Sequence, residues 1–398
     1  MTGRRPSLIR ADDDAAHRVS FFELFFDLVY VFAITQLSHG LLEHLDLQGL
    51  VQTLVLLLAV WWAWVYTTWA TNWLDPDSTR CRLMLIGVMA AALVMAASIP
   101  EAFGEAGLAF ALAYAAIQVG RSSFVLWAMR DDPVRRASFR RIVAWNAAAA
   151  AIWIAGGLAD ESARMPIWFV ALVVDYAAPA VRYVFPGLGR SETTEWTVTP
   201  SYISERFKLF IILALGESII VTGAAFSEHE PDIATLAAFA SAFAGAVAMW
   251  WIYFHRSADE GEEAMGSSDD PGRIARSATY FHLPIVAGII VTAVADELVI
   301  ANPTGTSDAA VVATSLGGAA LFLAGHAIFR YSVFGSVSMP RLIGIAVLAA
   351  LAPIGLVLSP LALGLASTGV LIGVAIHETL IPPAPEEERV VLEDGQVS

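Results

Sequence analysis

Charge is scarce in this chain. Only 15% of its 398 residues are Asp, Glu, Lys or Arg, against 57% apolar ones, and the mean hydropathy is +0.64. A soluble globular protein carries about a quarter charged residues, so that class is excluded. Cysteine is almost absent as well: Cys81 stands alone, which excludes an internal disulfide and a cysteine-based metal cage. Lysine occurs once, at Lys208, beside twenty-two arginines, a bias better ascribed to codon usage than to physics. Short alternating runs of about ten residues, the mark of a membrane barrel, are missing. No nucleophile elbow, H-E-x-x-H, P-loop or dinucleotide fingerprint occurs in a fitting context, so no familiar enzyme, catalytic residue or cofactor is expected. His39, His282 and His326 lie in or near apolar runs without an H-x-x-x-H pair, so a metal site is not expected either.

What the chain has is apolar runs of about 20 residues, the length of a membrane-spanning helix. They fall near 21–42, 50–70, 83–99, 106–129, 142–159, 165–185, 207–226, 232–254, 278–300, 309–331, 341–358 and 361–377. The expected fold is an all-α membrane protein of about twelve transmembrane helices, multi-pass in the plasma (inner) membrane. The first run is too long for a signal segment and lacks a small-residue cleavage site, so it reads as the first membrane helix. The formal charge of −15 gathers in the 258–270 loop and in an acidic tail at 381–398, which is expected to be disordered. General attraction for nucleic acid is therefore not supported.

Basic residues test the count independently, because they stay on the cytoplasmic side of short loops. With the N-terminal segment 1–19 cytoplasmic, 21 of the 23 basic residues fall on that side; Arg164 lies outside and Arg121 within a span. Twelve spans with both ends cytoplasmic satisfy this alternation. An internal repeat is also visible. ELFFDLVYVFAITQL followed by WWAWVYTTW in the first half corresponds to ERFKLFIILALGESI followed by MWWIYFHR in the second. Two parallel six-helix repeats, 20–190 and 191–380, follow from the pattern, and a shared site is expected where they meet.

The segments ELFFDLVYVFAITQL, TTWATNWLDPDSTRCR and SERFKLFIILALGESIIVTG resemble the bacterial low temperature requirement protein A family, and the resemblance spans nearly the whole chain. It implies a multi-spanning membrane protein and no particular activity. Lys208 stands where the family motif has Gly, so nothing requires a small residue there.

Charged groups within the runs are the candidate site residues, since a carboxylate or guanidinium at membrane depth costs about 2.5–3.5 kcal/mol and must find a partner, a proton or water. Glu23 and Asp27 share one helix face. Glu23 can reach the interface and reads as an anchor, whereas Asp27 lies on the order of 10 Å into its helix. Glu217 lies about 17 Å past Arg206, near the midplane, with Gly216 and Ser218 beside it leaving room for close approach. Arg121 is about 13 Å from the helix end near Arg130, with Asp27, Asp175 and Glu217 as candidate partners. Asp175 precedes Pro179, which is expected to kink its helix. Asn72, Asp75 and Asp77 beside Arg80 and Arg82 read as a helix-ending polar cluster rather than a cation site. The tryptophans of WWAW and MWW read in part as interfacial anchors, with an aromatic-lined pathway as the alternative.

Three functions are weighed. A secondary transporter, proton-linked through Glu217 and Asp27, fits the repeat and the intramembrane acids. An intramembrane enzyme acting on a lipid would bring Asp27 and Glu217 to one cavity. A scaffold or sensor would close every acid against an arginine. The expected partners are the bilayer and a small solute or ion, protons included, and a homo-oligomer is compatible with this reading.

Overall fold

The computed structural model describes residues 8–10, 19–191, 198–228, 232–257 and 271–381. The acidic 258–270 loop, the residues of the tail beyond 381 and most of the N-terminal segment lie outside them.

Among the described residues the chain forms twelve α-helices and no named strand: α1 Phe21–Glu43, α2 Leu47–Trp73, α3 Thr79–Ala97, α4 Gly107–Ala128, α5 Pro133–Leu158, α6 Glu161–Ala180, α7 Pro200–Ser227, α8 Ile233–Ile252, α9 Pro271–Ala301, α10 Ala309–Phe334, α11 Met339–Gly355 and α12 Pro360–Leu380. Each expected run lies on its own helix. Ten helices are long and apolar enough to cross a membrane. Of the others, α11 has only 17 residues, and α6 carries Glu161, Arg164 and Asp175 within 20 residues. The protein is a polytopic membrane protein.

Short polar residues set the helix starts. Ser20, Asp46, Ser78, Asp132, Asp232, Asp308 and Ser359 each accept a bond from a backbone N–H of the first turn, and so satisfy donors that lipid cannot. Several helices begin earlier than hydropathy places them: α5 at Pro133, α7 at Pro200 and α9 at Pro271. Their extra turns are polar, so a hydropathy window misses them although their backbone bonds continue the helix. Beyond Ile252 the ladder widens to a π-helical turn, Tyr253–Ser257.

The packing pairs in the two halves correspond. In the first, α1 packs on α2 and α3, α4 on α3 and α5, and α6 on α5 and α2; in the second, α7 packs on α8 and α9, α10 on α9 and α11, and α12 on α11 and α8. Further pairs, such as α2 with α4 and α10 with α12, have no counterpart of similar extent among the described residues. Between halves, α1 and α2 pack on α7 and α9. Large apolar side chains such as Phe25, Leu93, Ile220 and Phe243 are exposed on the outside, where lipid would cover them. The centre holds Trp61, Trp62 and Trp64, all buried, whereas Trp250 and Trp251 are exposed. Interfacial anchoring thus suits only the second tryptophan cluster.

With no hydrophobic drive between helices in lipid, close approach depends on small residues. A Cβ at Gly288 of α9 would stand 2.5 Å from the Phe322 main-chain nitrogen, and one at Gly325 of α10 would stand 2.8 Å from that of Ile285. Gly216 is different: nothing lies within 4 Å of its absent Cβ, so the close approach expected there does not occur. Gly288→Val should lower stability by about 1–3 kcal/mol through overpacking, read as an earlier unfolding midpoint in detergent. Gly216→Ala should leave that midpoint within experimental scatter.

Candidate functional site

The buried charges divide into closed pairs and groups without a counter-ion. Two of the closed pairs lie where α1 meets α7. Asp27, fully buried, accepts from the Arg206 guanidinium at 2.7 Å and from the Trp64 indole N–H at 2.8 Å. Arg206 is itself fully buried, six residues inside a helix that begins at Pro200. Asp27 therefore pairs across the halves, not with Arg121. Glu23 closes a second pair: it accepts from Ser20 N–H at 2.8 Å, from the Arg10 guanidinium at 3.2 Å and from the Tyr202 hydroxyl. It is 1% exposed and is not an anchor in the interface. The segment 8–10 covers it, held by Arg10 N–H to the Trp73 carbonyl at 3.0 Å and by Arg10 Nε to the carbonyls of Thr71 and Leu74 at 3.0 and 2.9 Å. A further closed pair, Arg341 to Glu378 at 2.8 Å, joins α11 to α12. Arg164 ends against backbone, donating to the Ala102 and Gly104 carbonyls.

Arg121 on α4 is 1% exposed and donates to neutral acceptors: the Ala63 carbonyl at 3.3 Å, Thr67 Oγ1 at 3.2 Å and Gln118 Oε1. Its guanidinium lies 5.2 Å from the centre of the Tyr66 ring. Gln118 passes the connection on, its Nε2 donating to the Tyr114 hydroxyl at 2.8 Å. That hydroxyl donates to Asp175 Oδ2 at 2.8 Å, and the same oxygen accepts from Trp153 Nε1 at 2.9 Å. Asp175 and Arg121 are thus linked through two neutral side chains on α4 rather than paired. On its other side Arg121 lines a cavity of about 100 Å³ between α2, α4, α5 and α6 of the first half and α9 of the second. Pro179, one turn after Asp175, lines it too.

Glu217 on α7 is 4% exposed and has no ion-pair partner among the described residues. The Thr35 hydroxyl and the His39 imidazole of α1 act on it, and its Oε1 has no hydrogen-bond partner. The adjacent Ser218 hydroxyl is likewise buried and unpartnered. The chain therefore does not gather Asp27, Glu217 and Arg121 in one place.

At the end of α2 the polar cluster is structural: Asn72 accepts from Thr199 N–H at 3.1 Å, Asp75 from Asp77 N–H at 3.0 Å, and Asp77 pairs with Arg82 at 2.7 Å. His282 is engaged by Tyr253 and the Ala278 carbonyl. No group of three or more His, Cys, Asp or Glu is placed to hold a metal ion among the described residues.

The model of the bacterial low temperature requirement A protein family (LtrA) matches residues 18–376. The chain belongs to that family. It is also 41% identical over 323 residues to an uncharacterised protein of Rhizobium meliloti (strain 1021), covering 80% of this chain and 78% of that one. No solved structure matches it. Within this low temperature requirement A chain, sequence reasoning passed over Arg206, placed at a helix start by hydropathy, and the neutral side chains Tyr114, Gln118 and Trp153. Asp296 and Glu297, adjacent near the end of α9, were also missed, although two neighbouring acids in an apolar run were signal enough.

Breaking a buried pair leaves an uncompensated charge at a cost of about 3–5 kcal/mol. Arg206→Met should therefore lower the detergent unfolding midpoint strongly, and the Asp27→Leu/Arg206→Met double variant should recover most of the loss. Single variants as stable as the parent would show that the pair does not hold α1 to α7.

Proposed function

We propose that this family member is a secondary transporter of the inner membrane, built from two parallel six-helix halves, 20–190 and 191–380, with both ends cytoplasmic and with Glu217 as its proton-carrying group. The corresponding packing pairs in the two halves support the repeat. The observation that carries transport is the contrast among buried charges: Asp27 and Glu23 are paired with arginines, whereas Glu217 and Arg121 are buried with no ion-pair partner among the described residues. Asp175 is also buried without an ion-pair partner among the described residues, but it is held by two neutral donors, Tyr114 and Trp153; a lone charge in an apolar bundle is expensive and is retained where it binds something. An uncompensated carboxylate at depth is neutralised by taking up a proton, and releasing it is the elementary step of proton coupling. His39, exposed at the far end of α1, acts on both Glu217 and Glu297. Asp27 and Ser218 belong to the support: the first fixes α7 against α1, the second stands one residue from the titrating group.

An enzyme acting on lipid is less well supported, because Asp27 is committed to Arg206.

Proteoliposomes enclosing a pH-sensitive dye test the reading, with imposed gradients of sodium, potassium, chloride and benzenesulfonate. At least one gradient should drive proton movement, and Glu217→Gln should reduce it about tenfold or more while leaving the unfolding midpoint near the parent's. Proton movement unchanged by Glu217→Gln under every gradient would sink the proposal.

A further inference from the structure

The cavity beside Arg121 has a chemistry of its own. Its described lining contains four arginines, Arg121, Arg182, Arg273 and Arg276, and no carboxylate. Arg182 and Arg273 have other interactions, which leaves Arg121 at the inner end and half-buried Arg276 as the cations that bear on a ligand. Arg121 uses three bonds to neutral acceptors, so at least two of a guanidinium's five N–H groups are left. Its nearest linked carboxylate, Asp175, stands beyond Gln118 and Tyr114 and does not reach the cavity. Much of the remaining wall is aromatic, with Trp62, Trp69, Trp73, Phe139 and Tyr280 among its lining residues.

The wall is also rigidly placed. Trp62 stacks on Tyr176 with ring centres 4.0 Å apart, Trp69 Nε1 donates to Thr279 Oγ1 at 3.1 Å, and the Tyr66 and Tyr183 hydroxyls meet at 2.5 Å. Tyr183 and Arg182 hold the left-handed backbone conformation, with φ of 50° and 55°, which non-glycine residues adopt only when their surroundings impose it. A volume of about 100 Å³, at about 10–15 Å³ per water-sized atom, has room for about seven to ten heavy atoms.

We infer that this cavity binds a small organic anion, with its acidic group on Arg121, steered by Arg276, and its apolar, planar body against the tryptophans. Guanidinium groups recognise carboxylates and phosphates in a planar, two-pronged geometry, and aromatic walls around few polar groups are the usual make-up of small-molecule sites. The anionic group could arrive on a free solute or on a lipid head, and the same chemistry would receive it. The inference deepens the transporter reading by naming the solute class, yet it concerns binding and is read without any flux.

Calorimetric titration of the full chain in neutral detergent tests it with benzoate, with benzyl alcohol as the uncharged analogue. Benzoate should bind saturably and at least about tenfold more tightly than the alcohol; Arg121→Gln should weaken it about tenfold or more, and Arg276→Gln about threefold. Phosphatidylglycerol in mixed micelles, against phosphatidylcholine, covers the lipid source: Arg121-dependent binding of that lipid without benzoate binding assigns the site to a headgroup. Equal affinity for acid and alcohol, no binding of either anion, or full affinity in both arginine variants would overturn the inference. Should Arg121→Gln fail to fold, full affinity in Arg276→Gln alone overturns it. Intact benzoate binding without proton movement in proteoliposomes would leave this site standing and remove the transporter reading only.

Discussion

The bond between Asp27 of α1 and Arg206 of α7 is the interaction on which the centre of the molecule depends. At 2.7 Å and with both residues fully buried, it joins the first helix of one half to the first helix of the other. Neither ion could stand alone in an apolar bundle, so each makes the other's position tolerable. The tryptophan cluster of α2 is arranged around the pair: Trp64 donates to Asp27 and packs on Phe207 and Phe210 of α7, and Trp61 donates to the Thr279 carbonyl of α9. Four helices are thereby held at the junction by one ion pair and two indole N–H groups.

Against that closed centre, the exceptions gain meaning. Arg121 and Glu217 are buried too, and the polar groups that Arg121 donates to are neutral. A charge kept in this state has its desolvation met only in part by dipoles, through Gln118 and Thr67 in one case and Thr35 in the other, which leaves its attraction for a mobile ion or proton largely unspent. The two groups also occupy different places. Arg121 faces a cavity bounded on one side by α9, whereas Glu217 lies along α7 beside α1.

Much of this was legible without coordinates. The hydropathy of the runs located all twelve helices, even α11 with its 17 residues, because the requirement for internal backbone hydrogen bonds makes an apolar run in lipid a helix. The early starts of α5, α7 and α9 were not legible, since their polar first turns belong to the helix by backbone bonding rather than by burial. Glu23 and Asp27 were recognisable as buried acids needing partners, and the polar cluster at the end of α2 was rightly read as a helix ending. Their partners were not: Arg206 was placed at a helix start rather than inside the helix, and Arg10 lies thirteen residues before the acid it closes.

The sequence by itself determined what each residue requires. A carboxylate at Asp27 needs a cation, an apolar run of about 20 residues needs lipid or another helix, and a chain with one cysteine cannot hold itself by disulfides; these follow from the chemistry of single groups. Only the tertiary structure decided which requirement is met by which neighbour, because contacts between helices 179 residues apart, as between Asp27 and Arg206, depend on the rotation and depth of each helix in the bundle. Those same rotations left Arg121 without an ion-pair partner among the described residues and set it against a cavity, a choice no local pattern records.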